Sequence, residues 1–153
     1  MVKKIRNAVR VFLIKDDKVV CIKYKVWPIG FYNIPGGKIE KGETKEEAAI
    51  REFQEEVGMN ISNLQEIGTM VTEYPDRIYH FTLFLAHAYT GEPQNFDEDD
   101  SFWISISELL KEEKRFAITY LLDGDYKKKF LEAKIHVKYI VDENDKIVGI
   151  EEI

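Results

Sequence analysis

Three glutamates are spaced so that a helix would bring their carboxylates to one side. Glu52, Glu55 and Glu56 stand at positions i, i+3 and i+4, and residues at that spacing are neighbours on a helix surface. Like charges there repel by about 0.2–0.5 kcal/mol per pair. The helix dipole also disfavours negative charge near the C-terminal end, by about 0.3–1 kcal/mol. Because this clustering costs stability, we interpret the three carboxylates as ligands for a cation.

The residues on either side of the glutamates predict where their helix begins and ends. Thr44 and Glu47 form a capping-box pattern, so we expect the helix to start near Lys45. Gly58 is placed to adopt the left-handed conformation just after the helix ends. The apolar stripe that should face the core consists of Ala49, Ile50, Phe53 and Val57.

A glycine-rich loop precedes this helix and suits the same cation. Pro35-Gly36-Gly37 would let a backbone carbonyl turn towards a metal, because glycine tolerates the required dihedral angles. Mg²⁺ prefers carboxylate and carbonyl oxygens, and a metal held in this way can neutralise a diphosphate and activate a water molecule. The alternative, an ordinary solvated acidic face, does not account for the glycines and Arg51 that accompany the glutamates.

The full pattern resembles the Nudix box. It is Gly37-x5-Glu43-x7-Arg51-Glu52-Phe53-x-Glu55-Glu56-x-Gly58-Met59, in which only Phe53 and Met59 depart from the usual aliphatic residues. The resemblance implies an α+β fold, an α/β/α sandwich with a mixed β-sheet, as a single domain over residues 1–153. It also implies metal-dependent hydrolysis of a nucleoside diphosphate linked to another group.

The resemblance also implies roles for particular residues. The metal ligands would be the Gly36 carbonyl, Glu52, Glu55 and Glu56, with Mg²⁺ as the cofactor and Mn²⁺ as the alternative ion. Arg51 would orient the glutamates, and Glu43 would support the loop. Within the acidic run at residues 97–100, Glu98 is our choice for a further metal ligand or base, although such a run is also typical of a solvated loop. The general base is left open among Glu55, Glu56 and Glu98.

Beyond the box, the chain resembles MutT-type hydrolases of oxidised purine nucleotides. Asn33 lies where mammalian members carry an asparagine that contacts the base, and an amide can donate and accept at a purine edge; alternatively, Asn33 caps the turn into the glycine loop. Lys23 matches a basic residue that contacts phosphates, although strand lysines are usually just exposed. Lys38, next to the glycines, is a further candidate for binding substrate.

Three functions remain open. The first is cleavage of a nucleoside triphosphate, such as 8-oxo-dGTP, to a monophosphate and pyrophosphate. The second is a Nudix hydrolase of another substrate such as ADP-ribose, since Pro75 lies near the proline of those enzymes. The third is a non-catalytic module that senses a nucleotide.

Composition narrows the class of partner. The chain has 153 residues, a net charge of −6 and a single cysteine, Cys21. The negative charge argues against binding a long nucleic acid, and no stretch is apolar enough to cross a membrane. One cysteine suits a reducing cytoplasm. We therefore expect a cytoplasmic monomer or homodimer whose partner is a small nucleotide.

The elements expected to position the site are mostly strands. Alternating apolar residues and turn signals predict strands at residues 8–14, 19–23, 32–34, 65–72, 79–89 and 102–104, and a hairpin over residues 135–150 that turns at 142–145. Ser107 is the expected cap of a short helix through Leu110, and residues 116–122 should form another short helical piece.

Overall fold

A computed structural model describes residues 2–144 and 146–153. It contains ten strands: β1 Lys4–Phe12, β2 Ile14–Lys15, β3 Lys18–Tyr24, β4 Tyr32–Asn33, β5 Gly36–Lys38, β6 Asn60–Glu73, β7 Arg77–Thr90, β8 Asp99–Ser105, β9 Ile135–Val141 and β10 Ile147–Glu152. The α-helices are α1 Lys45–Val57, α2 Ile106–Leu109 and α3 Tyr126–Glu132, and a 3-10 helix spans Ala117–Leu122. No helix within the described ranges has the length and apolar character needed to cross a bilayer.

The strands form a large mixed sheet and a small sheet. The large sheet has the order β10-β9-β6-β7-β1-β5, with β1 parallel to β7 and β6 parallel to β9. The small sheet contains β2, β3, β4 and β8. The β2–β3 hairpin turns at Asp16 and Asp17, both with positive φ, as a tight hairpin turn requires.

Two hydrophobic clusters cover the two faces of the large sheet. One cluster contains the inner face of α1, with Phe53 and Val57 packed against Val9 and Val11 of β1. The other includes residues of the 3-10 helix and α3, such as Leu122 and Phe130. Helices therefore lie on both sides of a mixed sheet, which confirms the predicted α/β/α sandwich.

Helix α1 begins and ends as the sequence predicts. Thr44 and Glu47 form the full capping box, and Gly58 is left-handed with φ of 80°. The predicted apolar stripe is wrong at one position, because Ile50 is 40% exposed while Ala48 is fully buried. The core-facing stripe thus consists of Ala48, Ala49, Phe53 and Val57.

The remaining elements follow the predicted order with local differences. Strands β6 and β7 extend beyond their predicted ends. The predicted cap of α2 is wrong: Ser105, not Ser107, accepts the hydrogen bond from the Glu108 N–H. The terminal hairpin forms as expected, although its predicted turn includes Asp145, which lies outside the described residues. Helix α3 was not predicted.

Candidate active site

Arg51 is the centre of a charge network between α1 and the preceding loop. Its Nε and Nη2 donate to the two Glu43 carboxylate oxygens at 2.7 and 2.9 Å, and Nη2 also donates to the Lys38 carbonyl at 3.0 Å. Nη1 donates to Glu52 Oε1 at 3.0 Å and to Glu55 Oε2 at 3.2 Å. The hydrogen bond from Arg51 holds the pKa of Glu43 down at about 2. Arg51 therefore orients the glutamates and ties the loop to the helix.

Glu56 has a different environment from the other two glutamates. Its Oε1 accepts a hydrogen bond from the Gly36 N–H at 3.0 Å, so it reaches the glycine loop while Glu52 and Glu55 are held by Arg51. Burial raises the pKa of Glu56 to about 8, the nearby charges of Glu52 and Asp99 add to the rise, and the charge of Arg10 opposes it. Glu56 is thus a half-buried acid whose proton is held at neutral pH unless a cation takes its place.

The two loop glycines allow close approach, Gly37 to the Glu52 carboxylate and Gly36 to strand β1. A Cβ on Gly37 would collide with the carboxylate of Glu52, and a Cβ on Gly36 would collide with the Val9 carbonyl oxygen across the β1–β5 pair. The close approach of loop, strand and helix therefore requires glycine at both positions.

The three predicted ligands do not converge on one point. Over residues 2–144 and 146–153, no group of three or more histidine, cysteine, aspartate or glutamate side chains is arranged to hold a metal, because Arg51 holds Glu52 and Glu55 while Glu56 faces Gly36. The donor chemistry nevertheless fits a hard divalent cation. Burial raises the pKa of both Glu52 and Asp99 as well as that of Glu56, and carboxylate oxygens are the ligands that Mg²⁺ prefers.

In the acidic run at residues 97–100, which leads into β8, the buried residue is Asp99 rather than the predicted Glu98. Glu98 is exposed, whereas Asp99 is only 7% exposed and its charge is among the causes that raise the pKa of Glu56. The alternation of side chains along a strand turns Asp99 inward, and sequence reasoning missed it. The role of Glu98 as ligand or base stays a prediction.

A cleft of about 480 Å³ is lined by Arg10, whose charge acts on the carboxylates of Glu52 and Glu56. Eight aromatic residues line it: Tyr24, Trp27, Phe31, Tyr74, Tyr79, Phe81, Phe116 and Tyr120. Asn33 lies at the inner end, where its Nδ2 donates to Tyr24 Oη at 3.1 Å and its Oδ1 accepts from the Ile34 N–H at 2.8 Å. Both earlier interpretations of Asn33 therefore have a structural counterpart, since it braces the turn and also lines the cleft.

Arg10 connects the cleft to the carboxylates, and sequence reasoning missed it. It lines the cleft, lies opposite Gly36 in the β1–β5 pair, and donates from Nη1 to the Ile34 carbonyl at 3.0 Å. Its charge opposes the raised pKa values of both Glu52 and Glu56. No carboxylate of the described residues forms an ion pair with Arg10, so its other N–H groups are available to a ligand anion.

The two candidate lysines lie outside the cleft. Lys23 is exposed, with its Nζ 5.2 Å from the centre of the Tyr32 ring. Lys38 is also exposed and contributes its backbone carbonyl to Arg51. Their predicted contacts with substrate stay predictions. Trp103 packs on Tyr89 at 5.6 Å between ring centres and does not line the cleft.

Comparison with known proteins agrees with this geometry. The 8-oxo-dGTP diphosphatase of Escherichia coli strain K12 is 39% identical over 72 residues, which are 47% of this chain and 56% of that protein. The oxidized purine nucleoside triphosphate hydrolase of Danio rerio is 32% identical over 102 residues, 65% of each chain. The matched segment thus spans little more than half of the bacterial relative.

A solved structure shows the same fold. The crystal structure of the MutT protein from Bacillus halodurans superposes with a TM-score of 0.79 at 18% identity, covering 95% of this chain and 96% of that one. The sequence profile of the NUDIX domain matches residues 4–123, which contain the glycine loop, α1 and Asp99. With that match over most of its length, the chain belongs to the Nudix family, whose members generally use a divalent metal ion.

Proposed function

We propose that this protein is a Mg²⁺-dependent hydrolase that cleaves a nucleoside triphosphate to a monophosphate and pyrophosphate, with oxidised purine nucleotides as its substrate class. The observation that carries the proposal is Glu56, held by the Gly36 N–H of the glycine loop, together with an aromatic cleft that Arg10 lines. The relatives named as hydrolases of 8-oxo-dGTP and oxidised purine nucleotides support the choice of substrate.

The cleft residues would bind and orient the nucleotide. Trp27 lines the cleft and is 80% exposed, so its ring offers a face on which a base can stack. Asn33 has a second Nδ2 hydrogen available for an acceptor on the base edge, because Tyr24 takes the first. Arg10 would bind a phosphate oxygen, since a guanidinium forms short, charge-assisted hydrogen bonds with phosphate.

The acidic residues would supply the hydrolytic chemistry. Glu52, Glu56 and Asp99 would hold the cation, which when bound neutralises phosphate charge and lowers the pKa of a water molecule. Among the three candidate bases, Glu55 and Glu98 are exposed and Glu56 is half-buried. A cation held by Glu56 would take the place of its proton, so the pKa of the metal-free group does not select the base, and the proton acceptor stays open among Glu55, Glu56 and Glu98.

The test is a product assay on the purified protein with Mg²⁺. Oxidised and ordinary nucleoside triphosphates and ADP-ribose are supplied, and released pyrophosphate and monophosphate are quantified. We expect turnover to favour oxidised purine triphosphates and to be lost in Glu56→Gln. Glu46→Gln, an exposed position in the first turn of the same helix, is the matched control and should retain activity. Undiminished turnover by Glu56→Gln, or no hydrolysis of any triphosphate, would refute the proposal.

A further inference from the structure

Tyr24 and Asn33 form a hydrogen-bonded pair at the inner end of the aromatic cleft. Both residues line the cleft, and Asn33 Nδ2 donates to Tyr24 Oη at 3.1 Å. The orientation of the Asn33 amide is fixed from its other side, because Oδ1 accepts from the Ile34 N–H at 2.8 Å. A flipped amide would direct its own N–H groups at that N–H. The direction of the hydrogen bond from Asn33 to Tyr24 is therefore set by the backbone.

This pair leaves the hydrogen of the Tyr24 hydroxyl available to a ligand. An amide NH₂ group only donates, whereas a phenolic hydroxyl both donates and accepts. Tyr24 Oη is therefore the acceptor in its contact with Asn33, and its own hydrogen is directed elsewhere. Within residues 2–144 and 146–153, no protein group accepts that hydrogen. Burial raises the pKa of Tyr24, so the hydroxyl keeps its hydrogen at neutral pH.

The residue that carries this hydroxyl is held in place by its neighbours. The Tyr24 N–H donates to the Phe31 carbonyl at 3.1 Å, and the Tyr24 carbonyl accepts from the Gly30 N–H at 2.8 Å, so the backbone of Tyr24 closes the loop that contains Trp27. The Tyr24 ring also meets the Phe116 ring edge-on, with 5.9 Å between the ring centres. A donor that is fixed before its ligand arrives loses less conformational entropy on binding. Tyr24 is therefore a preorganised donor in the cleft.

We propose that the Tyr24 hydroxyl donates a hydrogen bond to a carbonyl oxygen of the purine base and so determines which bases the cleft accepts. The inference rests on the proposed function, in which the cleft receives the base of a nucleotide. The contact is with the base because Tyr24 adjoins Asn33, which is proposed to meet the base edge, whereas Arg10 and the carboxylates receive the phosphates. Asn33 is only 1% exposed and Tyr24 is half-buried, so Tyr24 is the member of the pair with more surface open to a ligand.

An amino group cannot replace the carbonyl in this contact. The carbonyl at position 6 of guanine accepts a hydrogen bond, whereas the amino group at position 6 of adenine donates one. Because Asn33 already supplies a hydrogen to Tyr24 Oη, a second donor there would leave the hydroxyl hydrogen without a partner, and unpaired polar groups are costly. An 8-oxidised purine carries the same kind of acceptor at position 8. The site therefore selects a base carbonyl, at position 6 or at position 8, over an amino group.

Titration calorimetry without Mg²⁺ tests the contact in the absence of turnover. The ligands are the 5′-monophosphates of adenosine, guanosine, 8-oxoadenosine and 8-oxoguanosine, of which only the first has no base carbonyl. We expect the wild-type protein to bind a nucleotide with the selected carbonyl about fivefold or more tightly than adenosine 5′-monophosphate. Tighter binding of the guanosine form would assign the contact to position 6, and tighter binding of the 8-oxoadenosine form would assign it to position 8.

Three variants separate the hydroxyl from the rest of the cleft. Tyr24→Phe keeps the ring and removes the hydroxyl, so the preference for a carbonyl should fall towards one. Asn33→Asp places an acceptor where Nδ2 stands, so Tyr24 should donate to residue 33 and the preference should again be lost. Tyr126→Phe is the matched control and should retain the preference, because the Tyr126 hydroxyl donates to Asp17 Oδ1 at 3.1 Å and does not line the cleft.

Circular dichroism checks that each variant is folded. Adenosine 5′-monophosphate binding to the wild-type protein as tightly as the other three nucleotides would overturn the inference, and so would an undiminished preference in folded Tyr24→Phe. An equal loss of affinity for all four nucleotides in Tyr24→Phe would assign the hydroxyl to the ribose or phosphate and would also overturn it. A preference that Tyr24→Phe removes, in a protein that hydrolyses no triphosphate, would support the base contact and refute the proposed function alone.

Discussion

Replacing Glu56 by glutamine should stabilise the metal-free protein at alkaline pH while it removes the proposed activity. Burial holds the pKa of Glu56 at about 8, against 4.5 for an ordinary glutamate. The folded protein therefore binds this proton more tightly than the unfolded chain does. The contribution of Glu56 to the free energy of unfolding is complete below pH 4.5 and is lost as the pH rises towards 8.

The size of the effect follows from the two pKa values. At about 1.36 kcal/mol per pKa unit, linkage between them gives a loss of about 4 kcal/mol at pH 8 and about 3 kcal/mol at pH 7. Glutamine carries no charge, and its Oε1 can still accept the Gly36 N–H that Glu56 accepts. The variant should therefore be more stable than the wild-type protein by these amounts, and the two should be equally stable near pH 4.

Urea unfolding in the presence of a chelator, at pH 5 and at pH 8, measures the difference. Other titrating groups are common to both proteins, so the change in their difference between the two pH values isolates Glu56. Glu46→Gln, exposed on the same helix, should follow the wild-type curve. Adding Mg²⁺ at pH 8 should stabilise the wild-type protein more than the variant, because only the wild type binds the ion with Glu56. A stability difference that does not grow with pH would refute the reasoning about burial.

Three further substitutions test other parts of the site and its scaffold. Arg10→Gln should weaken binding of a nucleoside 5′-monophosphate by about tenfold or more, without weakening binding of the unphosphorylated nucleoside, as measured by titration calorimetry; equal weakening of both would contradict the phosphate contact. Gly58→Ala should lower the free energy of unfolding by about 1–2 kcal/mol, because residue 58 has φ of +80° and a Cβ would lie 2.7 Å from Gln94 Cδ; urea unfolding checks this. Thr44→Ala removes the capping box and should cost about 1 kcal/mol in the same experiment, so an unchanged midpoint would count against the cap.

Local signals made the ends of α1 predictable, whereas the cap of α2 and the buried stripe of α1 depend on packing. Thr44, Glu47 and Gly58 act on backbone groups within one turn, so their spacing is sufficient to place the ends of the helix. The cap of α2 was predicted two residues too late, because Ser105 and Ser107 are both competent caps and only the packing of Ile106 and Leu109 into the core distinguishes them. Ile50 has a hydrophobic side chain at helical spacing, but the sheet contacts Ala48 instead.

Residues whose roles depend on distant neighbours could not be predicted from the sequence. Arg10 is an ordinary strand arginine until β5 and β7 place it between Gly36 and Phe81. Asp99 becomes distinct from Glu98 only when β8 pairs with β3 and turns it inward. Helix α3 ends in a left-handed alanine, Ala133, rather than a glycine, so it carries no sequence signal for its end.

The parallel pairing of β9 with β6 limits how far substrate preference can be engineered separately from folding. β9 continues the sheet along residues 68–73 of β6, so a chain shortened at residue 123 would present a long, bare strand edge to solvent, which invites aggregation. Because hairpin residues line the cleft, replacing the hairpin is a better route to a new specificity than deleting it. The replacement must preserve the backbone ladder between β9 and β6. In this chain, the hairpin that supplies part of the cleft lining also covers one edge of the large sheet.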